Sequence, residues 1–106
     1  MRKSVNPLLV ARDTIHIMID NWHVYMVRCA DGTLYTGIAK DVAKRVDEHN
    51  SDNRLGARYT KSRRPVSLVY WETAKTRSEA GKREHAIKKM PKISKENMLL
   101  NFISKY

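Results

Sequence analysis

This sequence of 106 residues has few of the residues that cross-link or interrupt a chain: one cysteine, three prolines and four glycines. Its one cysteine, Cys29, cannot form an internal disulfide, which excludes a secreted disulfide scaffold and fits a reducing, cytoplasmic compartment. No apolar run approaches the ~18 residues of a membrane span, and no secretory signal is recognisable. The histidines and the cysteine lack zinc-ligand spacing. One small domain is expected.

Acidic residues are scarce where basic residues are concentrated. The chain has 21 Lys and Arg against 11 Asp and Glu, a formal net charge of +10. Residues 1–53 are balanced, whereas residues 54–95 contain thirteen basic and three acidic residues, so the net charge lies there. Such a stretch indicates a polyanionic partner, either nucleic acid or an anionic membrane face. A hydrophobic content of 42% is enough for a packed core.

Residues 1–21 read as an accessory N-terminal extension, and residues 22–103 as the folded domain. The order of predicted elements is β-β-α-β-α-α, which indicates an α+β fold with a small three-stranded antiparallel sheet flanked by helices. The predicted elements are strands at 24–29, 33–38 and 66–72, helices at 41–50 and 76–90, and a final helix after Ser94. Residues 51–65 are predicted to be a loop.

The turn between the first two strands decides which side chains share a face. In a three-residue loop Gly32 takes the left-handed position, and Tyr25 then pairs with Gly37 while Val27 pairs with Tyr35. Tyr25 and Tyr35 therefore lie on one face of the hairpin, whereas a two-residue loop would separate them.

Asp41 is a plausible N-cap for the first helix, whose apolar stripe consists of Val42 and Val46. Arg45 and His49 form a second stripe on its border, roughly 60° away. Taken alone, these two residues are more typical of a solvated helix face than of a functional site.

Glu84 lies on the apolar face of the next helix, between Ala80 and Ile87. A carboxylate on an inward face is unfavourable unless it is paired. A salt bridge to an arginine and a metal site are equally good interpretations. The final helix is predicted to bury Met98, Leu99, Phe102 and Ile103.

Together these side chains form a set suited to phosphodiester chemistry. Hydrolysis of a phosphodiester needs a base for water and cationic groups for the developing charge. It also needs stabilisation of the leaving oxygen, commonly by a divalent cation. One carboxylate completed by water and phosphate oxygens suits Mg²⁺, which retains much of its hydration shell.

At these residues the sequence resembles the GIY-YIG endonuclease superfamily. Residues 23–25 (His-Val-Tyr) and 35–37 (Tyr-Thr-Gly) match its two tyrosine motifs, although His23 and Thr36 depart from the usual residues. Residues 37–49 are similar to its motif helix, and Arg83-Glu84 is similar to its metal-ligand helix. The resemblance covers about residues 22–100.

The chain most closely resembles the small stand-alone bacterial proteins of this superfamily. These share a Gly-Ala-Arg-Tyr-Thr segment, here residues 56–60, followed by Arg-Arg-Pro-Val, here residues 63–66. The superfamily often adds a late asparagine to the site, and Asn97 and Asn101 are both available.

The resemblance implies a role for each matching residue. Tyr25 would be the general base or would orient water, and Tyr35 would position phosphate or water. Arg45 would bind the scissile phosphate, and His49 would relay a proton or hydrogen-bond the phosphate. Glu84 would bind a single Mg²⁺ or Mn²⁺ ion. Gly37, which has no side chain, would let the backbone pass close to the site.

A 106-residue chain leaves no space for a separate DNA-recognition domain, so the basic stretch is expected to bind nucleic acid itself. Such contacts bind phosphates without reading sequence. The expected partner is DNA rather than RNA, with structure preference and a role in DNA repair or recombination; a protein partner for targeting is an open alternative. The candidate binding residues are Arg58, Tyr59, Lys61, Arg63, Arg64, Lys82, Arg83, Lys88 and Lys89.

Two other functions compete with a metal-dependent endonuclease. A non-catalytic nucleic-acid-binding module on a nuclease scaffold would explain the charge equally well. A membrane-surface protein is supported only by the charge and by the short apolar runs within residues 7–19, and no membrane partner is expected.

Overall fold

The computed structural model describes residues 21–104, so the predicted N-terminal extension lies almost wholly outside the described residues. Three antiparallel strands form one sheet in the order β2-β1-β3, as the predicted fold class requires. The elements in chain order are β1 (Trp22–Arg28), β2 (Leu34–Ala39), α1 (Val42–Ser51), α2 (Arg58–Lys61), β3 (Ser67–Ala74), α3 (Arg77–Lys88) and α4 (Lys92–Ser104).

A three-residue turn joins β1 to β2. Cys29 N donates to Thr33 O at 2.8 Å. Gly32 has a φ of 85°, a backbone conformation that residues with a side chain rarely adopt. The resulting register pairs Tyr25 with Gly37 and Val27 with Tyr35. The predicted loop length and register are confirmed.

Both faces of the sheet are covered. Val24 and Met26 pack with Ala80, Ile87 and Leu99 from α3 and α4. Because side chains alternate along a strand, the neighbouring residues of β1 face the other side, where a second cluster contains Tyr25, Val27, Val42, Trp71 and Phe102. Each large apolar side chain removed from water contributes about 1.5–3 kcal/mol. No helix in residues 21–104 has the length and hydropathy to cross a membrane.

The predicted caps of α1 and α3 are present. The Asp41 carboxylate accepts from Lys44 N at 3.0 Å, and Thr76 Oγ1 accepts from Glu79 N at 3.1 Å. Glu79 reaches back to Lys75 N at 3.3 Å, one residue earlier than the usual capping box. These contacts satisfy backbone donors that the first helical turn leaves unpaired.

Three expectations for the loops and the last helix are wrong. The predicted loop 51–65 contains α2, one short turn. Ser94 lies inside α4 instead of capping it, because Pro91 O already accepts from Ser94 N and Lys95 N. Ile103 is 63% exposed, since α4 packs through a narrow seam that includes Phe102.

Asn50 fastens the end of α1 to the chain that enters β3. Its Nδ2 donates to Val66 O at 2.9 Å, and its Oδ1 accepts from Val66 N at 2.7 Å. One side chain thereby satisfies both backbone groups of Val66, a buried residue.

Replacing Asn50 with Ala should lower the free energy of unfolding by about 2 kcal/mol, because it leaves two backbone groups unpaired. Ser51→Ala, one position further on the exposed side, should change it by less than about 0.5 kcal/mol. Urea denaturation of both variants measures this, and equal stability would contradict the bracing role of Asn50.

Candidate active site

The phenol of Tyr25 lies across the hairpin from Gly37. A Cβ built on Gly37 would be 2.6 Å from the Tyr25 hydroxyl oxygen, closer than any real contact, so the phenol occupies the space that the glycine leaves. Tyr25 is 1% exposed. The absence of a side chain at Gly37 therefore determines where the Tyr25 hydroxyl lies.

A chain of hydrogen bonds leads from this phenol into the loop after α1. The Tyr25 hydroxyl is 2.6 Å from Nε2 of His49, and Nδ1 of His49 is 2.9 Å from Oγ1 of Thr60. Thr60 Oγ1 donates to Ala57 O at 3.0 Å. Tyr25, His49 and Thr60 are all buried, so their polar atoms depend on one another for partners.

Burial keeps both ring systems neutral. It raises the pKa of Tyr25, an effect increased by Tyr35 and opposed by the adjacent Arg45 guanidinium. Burial, together with the charge of Arg45, lowers the pKa of His49 to about 4. Near neutral pH the pair is therefore an uncharged phenol facing an uncharged imidazole.

Arg45 is oriented by two acceptors before any ligand binds. Its Nη1 donates to Glu48 Oε1 at 2.9 Å and to Leu55 O at 2.6 Å. Burial opposes the charge of Arg45, but the hydrogen bond to Glu48 and the interaction with the Tyr25 hydroxyl outweigh it and raise the pKa of Arg45. A permanent cation thus lies next to the phenol.

Aromatic rings form one wall of the site. Tyr35 packs edge-on against His49, with ring centroids 5.3 Å apart, and Tyr59 stacks on Tyr35 with centroids 5.9 Å apart. The Arg63 guanidinium lies 3.8 Å from the Tyr59 ring centroid. Tyr59, in α2, therefore extends the aromatic wall that begins at Tyr35 on the hairpin.

Glu84 is linked to these rings through Lys88. Its carboxylate pairs with Lys88 at 3.4 Å, and Lys88 Nζ is 5.8 Å from the Tyr35 ring centroid. The charge of Glu84 reaches Tyr25 and contributes to the raised pKa of that phenol. Its charged partner is a lysine, not the arginine that a purely structural interpretation predicted.

The described residues contain no group of three or more His, Cys, Asp or Glu side chains able to enclose a metal ion. Glu84 could bind an ion only with other ligands from outside such a group, such as water and phosphate oxygens. The Glu84 side chain is 23% exposed, and this partial access to solvent fits a largely hydrated Mg²⁺.

The predicted binding residues divide into two groups. Arg63 pairs with Asp31 at 3.0 Å, Arg83 pairs with Glu72 at 2.8 Å, and Arg64 donates to His49 O, near the end of α1, at 2.6 Å. Of the other predicted cations, Arg58, Lys61, Lys82 and Lys89 are exposed and form no ion pair with another residue of 21–104. The first group is engaged within the protein, and the second faces solvent.

The two late asparagines lie on α4. Asn97 is exposed, and Asn101 lines a cavity with Glu72 and Arg83 that includes none of the tyrosines of the site. Thr60 is the site residue for which the sequence supplied no role. Its one signal was its position at the end of the Gly-Ala-Arg-Tyr-Thr segment, residues 56–60.

A comparison against protein families identifies the domain. Residues 21–97 match the model of the GIY-YIG catalytic domain. The chain belongs to the GIY-YIG family, whose catalytic domain indicates nuclease activity.

Relatives of known sequence are UPF0213 proteins. One from Desulfotalea psychrophila is 59% identical over 78 residues, covering 74% of this chain and 70% of its own. One from Staphylococcus epidermidis is 56% identical over 81 residues, covering 76% of this chain and 96% of its own. The solution structure of the E. faecalis protein EF2693 is 40% identical, with a TM-score of 0.54, over 77% of this chain and 85% of that one.

Gly37→Ala should displace the Tyr25 phenol and destabilise the protein by about 2 kcal/mol, because the new methyl group overlaps the buried hydroxyl. Gly81→Ala is the matched control: its Cβ meets nothing within 4 Å, and alanine favours the helix. Thermal unfolding should give a lower Tm than wild type for Gly37→Ala and a higher Tm for Gly81→Ala. An unaffected Gly37→Ala variant would contradict the close packing.

Stability should fall as pH decreases from 6.5 towards 4. The buried imidazoles of His23 and His49 have lowered pKa values, so they take up protons in the unfolded chain before they do so in the folded one. Each contributes a slope of up to about 1.4 kcal/mol per pH unit in that window, and the stabilisation is complete above pH 6.5.

Unfolding by urea at half-unit pH steps measures this slope. His49→Gln should remove the share of the slope that His49 contributes. An unchanged slope in His49→Gln would show that His49 is protonated equally easily in both states.

Proposed function

We propose that this protein is a divalent-metal-dependent endonuclease that hydrolyses DNA phosphodiester bonds and selects substrates by structure rather than sequence, with a role in DNA repair or recombination. The observation that supports it most directly is the 2.6 Å contact between the Tyr25 hydroxyl and His49 Nε2, next to the Arg45 guanidinium. Catalysis by proton transfer needs donor and acceptor within hydrogen-bond reach.

Tyr25 and His49 would activate water together. The attacking water gives a proton to the phenol oxygen of Tyr25 while the phenol proton passes to Nε2 of His49. Since both groups are neutral at rest, a coupled transfer avoids a buried phenolate as a separate species. The water oxygen bonds to phosphorus as the bond to the leaving oxygen breaks.

Arg45 would bind the scissile phosphate. Its contacts with Glu48 and Leu55 orient the guanidinium in advance, and such oriented charge is effective against the negative charge of the transition state. Tyr35, at the edge of His49, would position the phosphate or the water.

Glu84 would bind a single Mg²⁺ or Mn²⁺ ion, releasing Lys88 from its ion pair. The bound ion would supply charge neutralisation at the phosphate and the leaving oxygen. Lys88 lies beside Tyr35, so its ammonium group would remain available to the substrate backbone.

The exposed cations of the basic stretch would contact the nucleic-acid backbone, and contacts of this kind weaken steeply as salt rises. Since phosphate contacts convey no sequence information, selectivity would come from the shape of the substrate or from a protein partner.

Cleavage assays with branched, nicked and single-stranded DNA, and with matching RNA, test this proposal in Mg²⁺, Mn²⁺ and chelator. Tyr25→Phe, Arg45→Gln and Glu84→Gln should each lower the rate by about 100-fold or more. Tyr70→Phe removes a phenol hydroxyl outside the site, and Lys44→Gln removes an exposed cation from the same helix as Arg45; both variants should retain activity within about threefold.

Equal cleavage by wild type and Glu84→Gln would contradict metal-dependent catalysis at this site. Salt-dependent binding without cleavage, retained in the Arg45→Gln/Glu84→Gln double variant, would instead establish the non-catalytic binding module.

A further inference from the structure

The relay between Tyr25 and His49 needs Nε2 of His49 to be without a proton before reaction. A neutral imidazole has one protonated nitrogen, and the partner of the other nitrogen decides which one it is. In this site that partner is the hydroxyl of Thr60, 2.9 Å from Nδ1 and 0% exposed.

The neighbours of Thr60 determine which way its hydroxyl points. Oγ1 of Thr60 is 3.0 Å from Ala57 O, and a carbonyl oxygen can only accept. Without a proton between them, two oxygens at this distance would repel each other. The Thr60 hydroxyl therefore donates to Ala57 O, and Nδ1 of His49 must donate to Thr60.

The other end of the chain requires the same arrangement. The Tyr25 hydroxyl is buried and needs an acceptor for its proton, and Arg45 offers only donors. Within residues 21–104, Nε2 of His49 is the acceptor in hydrogen-bond contact with it. A contact from Ala57 N to Nδ1 would favour the opposite tautomer, but at 3.4 Å it is the longest in the cluster.

We propose that Thr60 is a positioning residue that holds His49 in the Nδ1–H tautomer, so that Nε2 is free to take the Tyr25 proton. Its catalytic meaning rests on the proposed nuclease function, whereas the tautomer itself does not. Thr60 touches neither substrate nor reacting atoms and acts through the imidazole alone.

Long-range ¹H–¹⁵N correlation spectra distinguish the two tautomers of a neutral histidine, and His49→Gln identifies the His49 signals. Wild type should show Nδ1–H with an unprotonated Nε2. A protonated Nε2 in wild type would overturn the proposal, whatever any variant does.

Thr60→Val keeps the side-chain shape and removes the hydroxyl. The ratio of Nδ1–H to Nε2–H should fall about tenfold, the value of one hydrogen bond, and the cleavage rate should fall in proportion to the fraction of molecules that keep the Nδ1–H tautomer. Thr60→Ser should restore both. Unchanged His49 signals in Thr60→Val would overturn the proposal.

The two readouts separate this proposal from the proposed function. The expected tautomers in a wild-type protein that cleaves nothing would support the role of Thr60 and contradict the nuclease. Cleavage lost in Thr60→Val without any tautomer change would contradict the role of Thr60 and leave the nuclease standing.

Discussion

The register of the β1–β2 hairpin is the constraint on which the site depends. A one-residue slip would move Tyr25 to the opposite face of the sheet. It would also place a side chain where Gly37 now makes room for the phenol. The turn at Gly32, with its positive φ, sets this register locally. A single backbone conformation at the hairpin tip thereby determines whether Nε2 of His49 meets the Tyr25 hydroxyl.

Polar contacts connect the hairpin to the chain that follows α1. Tyr25, His49 and Thr60 are buried and bonded in series, and Asn50 and Arg64 fasten the surrounding backbone. Removing one member of such a network leaves its neighbours buried without partners, which is costly. The chemistry of the candidate site and the stability of the loop are consequently properties of the same side chains.

Local sequence signals predicted the parts that local geometry decides. The hairpin register follows from a turn glycine, and the start of α1 follows from Asp41, so both were predictable. The role of Thr60 and the one-turn helix α2 depend on where residues 52–66 fold back against α1. The periodicity of hydrophobic residues in the sequence does not predict this tertiary contact. The prediction that Ser94 caps the final helix is wrong because Pro91, which follows α3, also begins α4.

The Arg63 bridge has a consequence for how a ligand meets this surface. Arg63 ties the β1–β2 turn at Asp31 to Tyr59, and Tyr59 stacks on Tyr35. The β1–β2 turn, residues 59–63 and strand β2 are therefore connected in a ring of contacts around the aromatic wall. The conformational entropy of ordering this wall is lost during folding, so it does not have to be lost again when a substrate binds. A substrate would meet a wall that is already ordered, so the deformability of the substrate would decide whether it fits.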